Sequence, residues 1–327
     1  MICNLIDNHN RHLNYLRISI TDRCNLRCMY CMPNDRLPKL EHREILTYEE
    51  ILRLVNIAVK LGITKVRITG GEPLVRRGVY GFLERLTAIP GIRDVSLTTN
   101  GLLLGQHMAR LKEAGIKRLN ISLDTLDRDK YNLITGYDHF DRVWENIIAA
   151  WRAGFAPLKL NMVVLKGVND DELEKFAALS LRYPFHVRFI EYMPIGMAGI
   201  DPSQHVLTPE IMRRVGVLGR LEPVANGRQD GPARRFRLPG APGEIGFISA
   251  LSHHFCETCN RLRLTASGKL RACLLSDEQI DLREPLRKGC SDRDIIRLFR
   301  LCVQSKKAAH RLAENMRIKS QMSKIGG

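Results

Sequence analysis

Three cysteines in one short loop are the most chemically informative feature of the chain. Cys24, Cys28 and Cys31 are spaced C-x-x-x-C-x-x-C and follow a strand-like run at Tyr15–Ile20. Three thiols can bind three corners of a cubane iron–sulfur cluster, which normally takes four cysteines, so one iron would stay open to a small chelating molecule. The alternative is a structural zinc site, which needs a fourth Cys or His. The nearest downstream histidine, His42, lies in a charged run and is a poor fourth ligand.

A second set of three cysteines lies in the last quarter of the chain. Cys256 and Cys259 form a C-x-x-C pair, and Cys273 follows downstream. Only three thiols are again available, which favours a second cluster with an open iron. A zinc site completed by His253 or His254 is the alternative.

Basic side chains accompany the second set. Arg261 and Arg263 alternate just after the C-x-x-C pair, and they would point to one face if the segment is extended. Two guanidiniums beside an open iron would suit a phosphorylated substrate, whereas the alternative is an exposed strand face. Arg17, Arg67 and Lys159 lie on three other predicted strands and could point the same way into a barrel. Buried cations without a ligand are costly, so convergence of these side chains would require an anion.

A double glycine ends the second predicted strand, in the run Gly70-Gly71-Glu72-Pro73. Glycine lets a backbone approach a ligand closely, although an ordinary tight turn explains the same pair. Glu72 could accept hydrogen bonds from an ammonium group.

Composition narrows the class of protein. The 327 residues are 44% hydrophobic and 26% charged, as in an ordinary globular enzyme. The N-terminal residues lack the features of a signal peptide and no apolar run could span a bilayer, so a cytoplasmic protein is predicted. Nine cysteines in that reducing compartment indicate metal binding or redox chemistry, although Cys3, Cys290 and Cys302 are solitary and receive no catalytic role. The net charge of +16 implies an anionic partner, either nucleic acid or a phosphorylated small molecule.

Strand and helix patterns alternate through the first two-thirds of the chain. This alternation predicts a parallel sheet, and polar or glycine residues just after the strands favour a partial barrel whose carboxyl ends form the active face. A doubly wound sheet would also fit, but no G-x-G-x-x-G follows the first strand. The predicted strands are Tyr15–Ile20, Lys65–Thr69, Val95–Thr99, Arg118–Ser122, Leu158–Val164 and His186–Glu191.

The pattern changes near Pro194. We predict a barrel domain over residues 1–200 and a C-terminal region over residues 201–327. The latter contains a short helix from Thr208, strands at Arg235–Leu238 and Glu244–Ile248, and a last helix capped by Ser291.

Several motifs together resemble a known family. The C-x-x-x-C-x-x-C loop with Tyr30 before its last cysteine, and the Gly-Gly-Glu-Pro run, resemble the radical S-adenosylmethionine superfamily. More narrowly, Gly231–Arg234, Leu238–Ser249, Cys256–Thr265 and the terminal Gly326-Gly327 resemble the GTP 3′,8-cyclase family, whose members catalyse the first step of molybdenum cofactor biosynthesis. The resemblance covers nearly the whole chain.

The resemblance implies a fold and a set of ligands. The fold would be α/β, an incomplete (β/α)6 triosephosphate isomerase-type barrel of the radical SAM type, with a C-terminal region carrying a second iron–sulfur cluster. The cofactors would be two [4Fe-4S] clusters and S-adenosyl-L-methionine, cleaved reductively to a 5′-deoxyadenosyl radical. The first cluster would be held by Cys24, Cys28 and Cys31, and the second, whose open iron binds the guanine of GTP, by Cys256, Cys259 and Cys273. Tyr30, Gly71, Ser122 and Met193 match S-adenosylmethionine contacts. Arg17, Arg67, Thr98, Lys159, Arg261, Leu262 and Arg263 match GTP contacts, and Arg17, Arg261 and Arg263 are the predicted catalytic residues.

The family's reaction gives (8S)-3′,8-cyclo-7,8-dihydroguanosine 5′-triphosphate. The implied partners are GTP, a reductant or electron donor and a downstream cyclic pyranopterin monophosphate synthase, with no nucleic acid and no membrane. The implied oligomeric state is a homodimer or a monomer. In the family the double-glycine tail inserts into the pocket, whereas the last residues of most chains are frayed. Departures from the family are the lack of tryptophan in residues 197–207 and the basic stretch at residues 226–230.

Two other functions stay open from the sequence. One is a radical S-adenosylmethionine enzyme acting on RNA or a peptide, although the aromatic content of 6% is low for base stacking. The other is a zinc-bearing nucleic-acid-binding protein, which would need complete four-ligand sites.

Overall fold

The computed structural model describes residues 4–31, 39–196, 205–225, 227, 231–310 and 318–326. Cys3 and Gly327 lie outside the described residues, as do most of the stretches 197–207 and 226–230.

A single mixed sheet organises these residues. Its strand order is β12-β11-β10-β1-β2-β3-β4-β5-β6-β9-β8-β7. The eight neighbouring strands from β10 through β1–β6 to β9 run parallel. In the sheet order β9 and β10 are not neighbours, so the barrel stays open between them and the predicted incomplete barrel is confirmed. The strands are β1 (Tyr15–Ser19), β2 (Lys65–Thr69), β3 (Asp94–Thr99), β4 (Arg118–Ser122), β5 (Leu158–Val164), β6 (Phe185–Glu191), β7 (Glu222–Val224), β8 (Arg234–Arg237), β9 (Glu244–Ile248), β10 (Arg261–Leu264), β11 (Lys269–Arg271) and β12 (Ile280–Asp281).

The C-terminal region extends the predicted six-stranded core at both edges. β10 pairs with β1, and β9 pairs with β6, each in parallel register. One hydrophobic core includes residues of both regions, for example Leu16 of β1 and Leu262 of β10. The boundary at residue 200 stays a prediction, since both sides of it share one sheet and one core.

Helices cover the outside of the parallel strands. The cap predicted at Ser291 is present as a capping box, in which the side chain accepts from the Asp294 N–H, and a second capping box lies at Thr47. Within the described residues, no helix combines the length and the apolar character needed to cross a membrane. The α-helices are α1 (Tyr48–Lys60), α2 (Val79–Thr87), α3 (Met108–Glu113), α4 (Arg128–Thr135), α5 (Phe140–Arg152), α6 (Leu173–Ala177), α7 (Leu179–Arg182), α8 (Thr208–Val215), α9 (Arg283–Arg287), α10 (Asp292–Gln304) and α11 (Met322–Ile325).

The sequence pattern from Asp170 to about Leu181 predicts one helix capped by Asn169, and this prediction is wrong in its extent. The run from Asp170 to Leu181 is a 3-10 turn followed by the short helices α6 and α7. The side chain of Asn169 does not cap this run. Its amide instead donates to the carbonyls of Asp124 and Val163, at 2.7 and 2.9 Å, which ties the turn to the ends of β4 and β5.

Alternation along β1 separates the core from the interior of the barrel. Leu16 and Ile18 are fully buried in the hydrophobic core, whereas Tyr15 and Arg17 line a cavity on the other face. Because paired positions on parallel strands share a face, the neighbouring strands add their own polar side chains to this interior.

Glu191 joins the carboxyl end of β6 to the C-terminal region. Its buried carboxylate accepts from the N–H groups of Thr208 at 2.8 Å, Leu251 at 2.6 Å and Ser252 at 3.0 Å, and from the Ser252 hydroxyl. Burial would raise the pKa of Glu191, but the hydrogen bonds from Ser252, Thr208 and Leu251 outweigh it and the pKa lies below its usual value.

Glu191→Gln should destabilise the fold, because one acceptor oxygen becomes a donor that faces N–H groups. We expect a loss of about 2 kcal/mol, as for a buried hydrogen bond to a charged group, measured by thermal unfolding with circular dichroism. Since the folded-state pKa is depressed, the difference should be complete above about pH 4.3, the unfolded glutamate value. It should disappear as the pH falls through the folded-state pKa. Glu222→Gln, on the exposed β7, is the matched control, and equal melting of the two variants would contradict the assignment.

Candidate active site

Both cysteine sets line one cavity inside the barrel. The cavity encloses about 290 Å³, and all six predicted ligand cysteines contribute to its wall. The first set follows β1, whereas Cys256 and Cys259 precede β10, which runs parallel to β1. The sets therefore lie at opposite ends of two neighbouring strands, and a strand of five residues such as β1 separates them by about 16 Å.

The C-terminal end of α4 holds the loop of the first set through two backbone hydrogen bonds. The N–H groups of Arg27 and Met29 donate to the carbonyls of Thr135 and Ile134 at 2.8 and 2.9 Å, at the end of that helix. Within the loop, the Cys31 N–H donates to the Cys28 carbonyl at 2.9 Å.

The double glycine allows close packing against the backbone that precedes this loop. A Cβ on Gly71 would lie 2.3 Å from the carbonyl oxygen of Arg23, and one on Gly70 would lie 2.7 Å from that of Thr21. Glycine is therefore needed because the end of β2 packs directly against the backbone that leads into Cys24. Both glycines also line the cavity.

Burial controls the protonation of the first set. It raises the pKa of Cys31 to about 12, with the charges of Cys24 and Asp124 adding to the effect. The pKa of Cys28 also lies well above its usual value, mainly through burial. Without a metal these thiols are neutral, so iron binding would release protons.

Tyr30 lies beside this set and is anchored by a buried acid. Its hydroxyl donates to Asp124 at 2.7 Å, and the other oxygen of Asp124 accepts from the Val163 N–H at 2.8 Å. The pKa of Asp124 is raised to about 6, because burial outweighs the opposite effect of these two hydrogen bonds. Tyr30 and Asp124 both line the cavity.

Glu72 accepts hydrogen bonds from groups of the protein, whereas we expected it to accept them from the ammonium group of a ligand. Its carboxylate accepts from the Leu74 N–H, the Thr99 hydroxyl and the Asn100 N–H, at 3.0, 2.9 and 2.7 Å. It is fully buried and ties the end of β2 to the end of β3. In this arrangement Glu72 holds the backbone beside the first set, and it does not line the cavity.

In the second set, neighbouring cations lower the pKa of a cysteine, in contrast to the raised pKa values of the first set. The Cys259 N–H donates to the Cys256 carbonyl at 3.1 Å, which closes the turn before β10. Burial alone would raise the pKa of Cys259, but the positive charges of Arg261 and Lys306 lower it to about 6. This thiol is therefore largely ionised at neutral pH, ready to bind a cation.

The cysteines fit clusters better than single ions. Among the described residues, no three His, Cys, Asp or Glu side chains converge closely enough to bind one metal ion, which disfavours the zinc alternatives. In a cluster each thiolate binds a different iron atom, so the cysteine sulfurs need not meet at a single atom. N–H groups also donate to the sulfurs, from Leu26 to Cys24 and from Leu275 to Cys273, both at 3.4 Å. Such hydrogen bonds accompany sulfurs that ligate a cluster.

Three arginines form a row across the cavity wall between the two sets. Arg67, Arg17 and Arg263 are paired in register on the adjacent strands β2, β1 and β10. The pKa of Arg17 is lowered to about 10, mainly by burial; Tyr15 opposes this shift, whereas the neighbouring guanidiniums Arg67 and Arg261 contribute to it. Burial and the charges of Arg17 and Arg261 also lower the pKa of Arg263. Guanidiniums are not deprotonated in proteins, so these neighbouring cations repel one another.

The predicted contact residues mostly meet in this cavity. Tyr30, Gly71, Ser122 and Met193 line it, and so do Arg17, Arg67, Thr98, Arg261 and Arg263. Lys159 is buried on β5 and does not reach the wall. Leu262 faces the hydrophobic core, so its backbone alone could contact a ligand.

Other cavity residues were not predicted from the sequence. Asn161 and Arg188 line the wall from β5 and β6, two strands whose inward positions alternate with apolar ones. The polar atoms Tyr15 Oη, Thr98 Oγ1 and Asn161 Oδ1 are buried without a hydrogen-bond partner among the described residues. Buried polar atoms are nearly always hydrogen-bonded, so these three indicate a missing polar ligand.

The C-terminal tail reaches the cavity. Arg263 Nη1 donates to the Gly326 carbonyl at 2.8 Å, and Met322 lines the wall. A Cβ on Gly326 would lie 2.8 Å from the Ser19 side chain and 3.0 Å from that of Thr69, and the residue has a φ of +68°. Glycine is therefore required there, and this part of the tail is not frayed.

Asp277 anchors the tail on its way to the cavity. It accepts from the N–H groups of Lys319 and Ser320 at 2.8 and 3.1 Å and from the Ser320 hydroxyl at 2.6 Å. The buried Arg271 also donates to the Ser320 hydroxyl, at 2.7 Å.

Asp277→Ala should release the tail, because three hydrogen bonds to its backbone and side chain are lost. We expect trypsin to cleave after Lys319 several-fold faster, as followed by mass spectrometry of the intact chain. Glu278→Ala removes the neighbouring exposed acid and should leave the rate unchanged. Equal cleavage rates in both variants would show that Asp277 does not hold the tail.

Comparisons with known families divide the chain into two matched regions. Residues 18–179 match the radical SAM superfamily, and residues 185–312 match the family described as Molybdenum Cofactor Synthesis C. Among solved structures, Streptococcus suis SuiB bound to S-adenosylmethionine has a similar fold, with a TM-score of 0.63 and 16% identity. That match covers 84% of this chain and 65% of SuiB, so this chain spans slightly less than two thirds of the length of SuiB.

Full-length relatives are much more similar in sequence. The GTP 3′,8-cyclase of Moorella thermoacetica is 49% identical over 98% of this chain and 99% of its own length. That of Heliobacterium modesticaldum is 50% identical over 99% of this chain and 100% of its own length. That of Thermodesulfovibrio yellowstonii is 49% identical over 98% and 99%. The chain is therefore an enzyme of the radical SAM superfamily and belongs to the GTP 3′,8-cyclase family.

Proposed function

We propose that this enzyme converts GTP into (8S)-3′,8-cyclo-7,8-dihydroguanosine 5′-triphosphate, the first step of molybdenum cofactor biosynthesis. The observation that carries this proposal is the arginine row, which lies in one cavity between two sets of cluster-type cysteines. A nucleoside triphosphate has both a polyanionic end for the arginines and a base that could reach an open iron.

Two [4Fe-4S] clusters are the proposed metal groups. Cys24, Cys28 and Cys31 would hold the first, and Cys256, Cys259 and Cys273 would hold the second. When bound, the first cluster and S-adenosylmethionine together supply a radical that can remove a hydrogen atom from a ribose carbon. Tyr30, Gly71, Ser122 and Met193 are the proposed S-adenosylmethionine contacts. Asp124 supports them, because it fixes the hydroxyl of Tyr30.

The triphosphate is the proposed partner of the basic wall. No carboxylate among the described residues forms an ion pair with Arg67, Arg261 or Arg263. Guanidiniums bind phosphate oxygens in a bidentate way, and a bound anion would remove their mutual repulsion. Arg17, Arg261 and Arg263 would thereby position the nucleotide, and their catalytic role is to contact the substrate. Thr98, Lys159 and the backbone of Leu262 complete the proposed GTP contacts.

The barrel also protects the reaction from water. The cavity lies between the eight parallel strands; Met322 of the tail lines it, and Gly326 packs against Ser19 and Thr69 at the ends of β1 and β2. Enclosure suits radical chemistry, since a reactive carbon radical would otherwise react with groups other than its target.

Further partners follow from this proposal. The enzyme needs an electron donor, and its product is the substrate of a cyclic pyranopterin monophosphate synthase. Because six thiols have to stay reduced for cluster binding, we place the protein in the cytoplasm. A homodimer or a monomer is the proposed oligomeric state.

The direct test is anaerobic incubation with GTP, S-adenosylmethionine and a reductant, followed by mass analysis of the nucleotides. We expect a product with the mass of GTP and a new C3′–C8 bond, detected by NMR, and about eight irons per chain from two four-iron clusters. Zinc in place of iron, or unchanged GTP with full S-adenosylmethionine cleavage, would refute the function.

Serine variants should separate the two cysteine sets. Cys31→Ser should abolish formation of 5′-deoxyadenosine, because the first cluster loses a ligand. Cys273→Ser should keep some formation of 5′-deoxyadenosine but no cyclised nucleotide, since only GTP binding is impaired. Both products are measured by liquid chromatography. Cys290→Ser is the control and should retain both activities. Cyclisation by Cys273→Ser would remove the second set from the site.

A further inference from the structure

We infer that Lys306 is the positioning residue of the second cysteine set. Its ammonium group holds the segments of Cys259 and Cys273 in one arrangement and donates a hydrogen bond to the Cys259 sulfur. This inference rests on the proposed function, because it takes the second set as ligands of a cluster.

Lys306 makes three hydrogen bonds from a buried position. The residue follows α10 and is 4% exposed. Its Nζ donates to the Arg261 carbonyl at 3.2 Å, to the Ala272 carbonyl at 2.5 Å and to Cys259 Sγ at 3.5 Å. An ammonium group has three donors, so this set uses all of them. Because Arg261 follows Cys259 closely and Ala272 directly precedes Cys273, one side chain connects two of the three ligand segments.

The charge of Lys306 needs a counter-charge that the described residues otherwise lack. Among them, no carboxylate forms an ion pair with Lys306. A buried ammonium is costly unless it is both hydrogen-bonded and paired with a negative charge. The two carbonyls accept two of the hydrogen bonds and Cys259 Sγ accepts the third. A cluster held by Cys259 would place a negative charge beside the ammonium group.

The backbone after Lys306 holds the third ligand segment. Arg11 donates to the Cys256 carbonyl at 2.7 Å, and also to the carbonyls of Ala308 at 2.9 Å and Lys307 at 2.6 Å. Asp7 neutralises this guanidinium at 2.6 Å. The segment 306–308 is therefore the place where all three cysteine segments are joined.

This arrangement has an electronic consequence for the metal group. Reduction adds negative charge to a cluster, and both a hydrogen bond to a ligating sulfur and a nearby positive charge favour the reduced form. Lys306→Met should therefore lower the reduction potential of the second cluster. The substitution keeps most of the length of the side chain and removes its charge and its donors. The exposed neighbour Lys307, which pairs with Glu278 at 2.7 Å, provides a matched control, since Lys307→Met makes the same change of charge.

The experiment uses the full chain with Cys24, Cys28 and Cys31 replaced by alanine, so that only the second cluster is assembled. This parent, its Lys306→Met variant and its Lys307→Met variant are reconstituted with iron and sulfide, assayed for iron per chain and titrated under electron paramagnetic resonance. We expect Lys306→Met to shift the reduction equilibrium at least tenfold towards the oxidised form, which is about 59 mV for a one-electron couple. Lys307→Met should match the parent.

Each other outcome also decides. If the reduction potential of Lys306→Met equals that of the parent and of Lys307→Met, the role of Lys306 is overturned, whereas the second cluster itself is supported. A parent without iron overturns the cluster and this inference together. If Lys306→Met assembles no cluster, Lys306→Gln is titrated instead, since glutamine keeps a hydrogen-bond donor without the charge. A reduction potential equal to that of the parent in Lys306→Gln would equally contradict the role of Lys306. Loss of iron from both Lys306 variants, with the parent's circular dichroism, supports the positioning role.

Discussion

Repulsion among the guanidiniums of the cavity wall is the constraint on which this structure depends. Arg67, Arg17 and Arg263 are placed side by side by the register of three adjacent parallel strands, and the chain does not offer Arg67 or Arg263 a carboxylate among the described residues. At spacings of one strand, two like charges in a protein interior repel by several kcal/mol. The fold tolerates this because the rest of the barrel is held by strand pairing and by a large apolar core outside it. A polyanion bound there would remove this repulsion.

The two cysteine sets have surroundings that shift the pKa of a thiol in opposite directions. Burial keeps the first set protonated, with the pKa of Cys31 near 12, whereas Arg261 and Lys306 bring the pKa of Cys259 to about 6. The first set lies beside the acid Asp124, whose charge adds to the rise in the pKa of Cys28 and Cys31. The second set lies among cations. The difference follows from which strand ends supply the neighbouring side chains.

Local patterns in the sequence predicted the strands, because these depend on spacing along the chain. β2, β4 and β5 agree residue for residue with the predicted bounds. The six cysteines that the spacing singled out line one cavity, and their role as cluster ligands stays a prediction. The sequence could not predict contacts between distant segments. Lys306 and Arg11 reach residues 34 to 297 positions away, and nothing near them marks that role. Asn169 and Glu72 were misjudged for the same reason, since each side chain bonds to the end of a neighbouring strand.

The pairing of β1 with β10 has a consequence for synthesis of the protein. Tyr15 is paired with Arg261, so the inner edge of the six-stranded core has no partner until most of the chain has been made. At about 5–20 residues per second, this edge is exposed on the ribosome for roughly 10–50 s. Unpaired parallel edges invite pairing with other chains. Folding of the barrel is thus a late event, and the cavity that both cysteine sets line is complete only after β10 and β9 have paired with the two edges of the core.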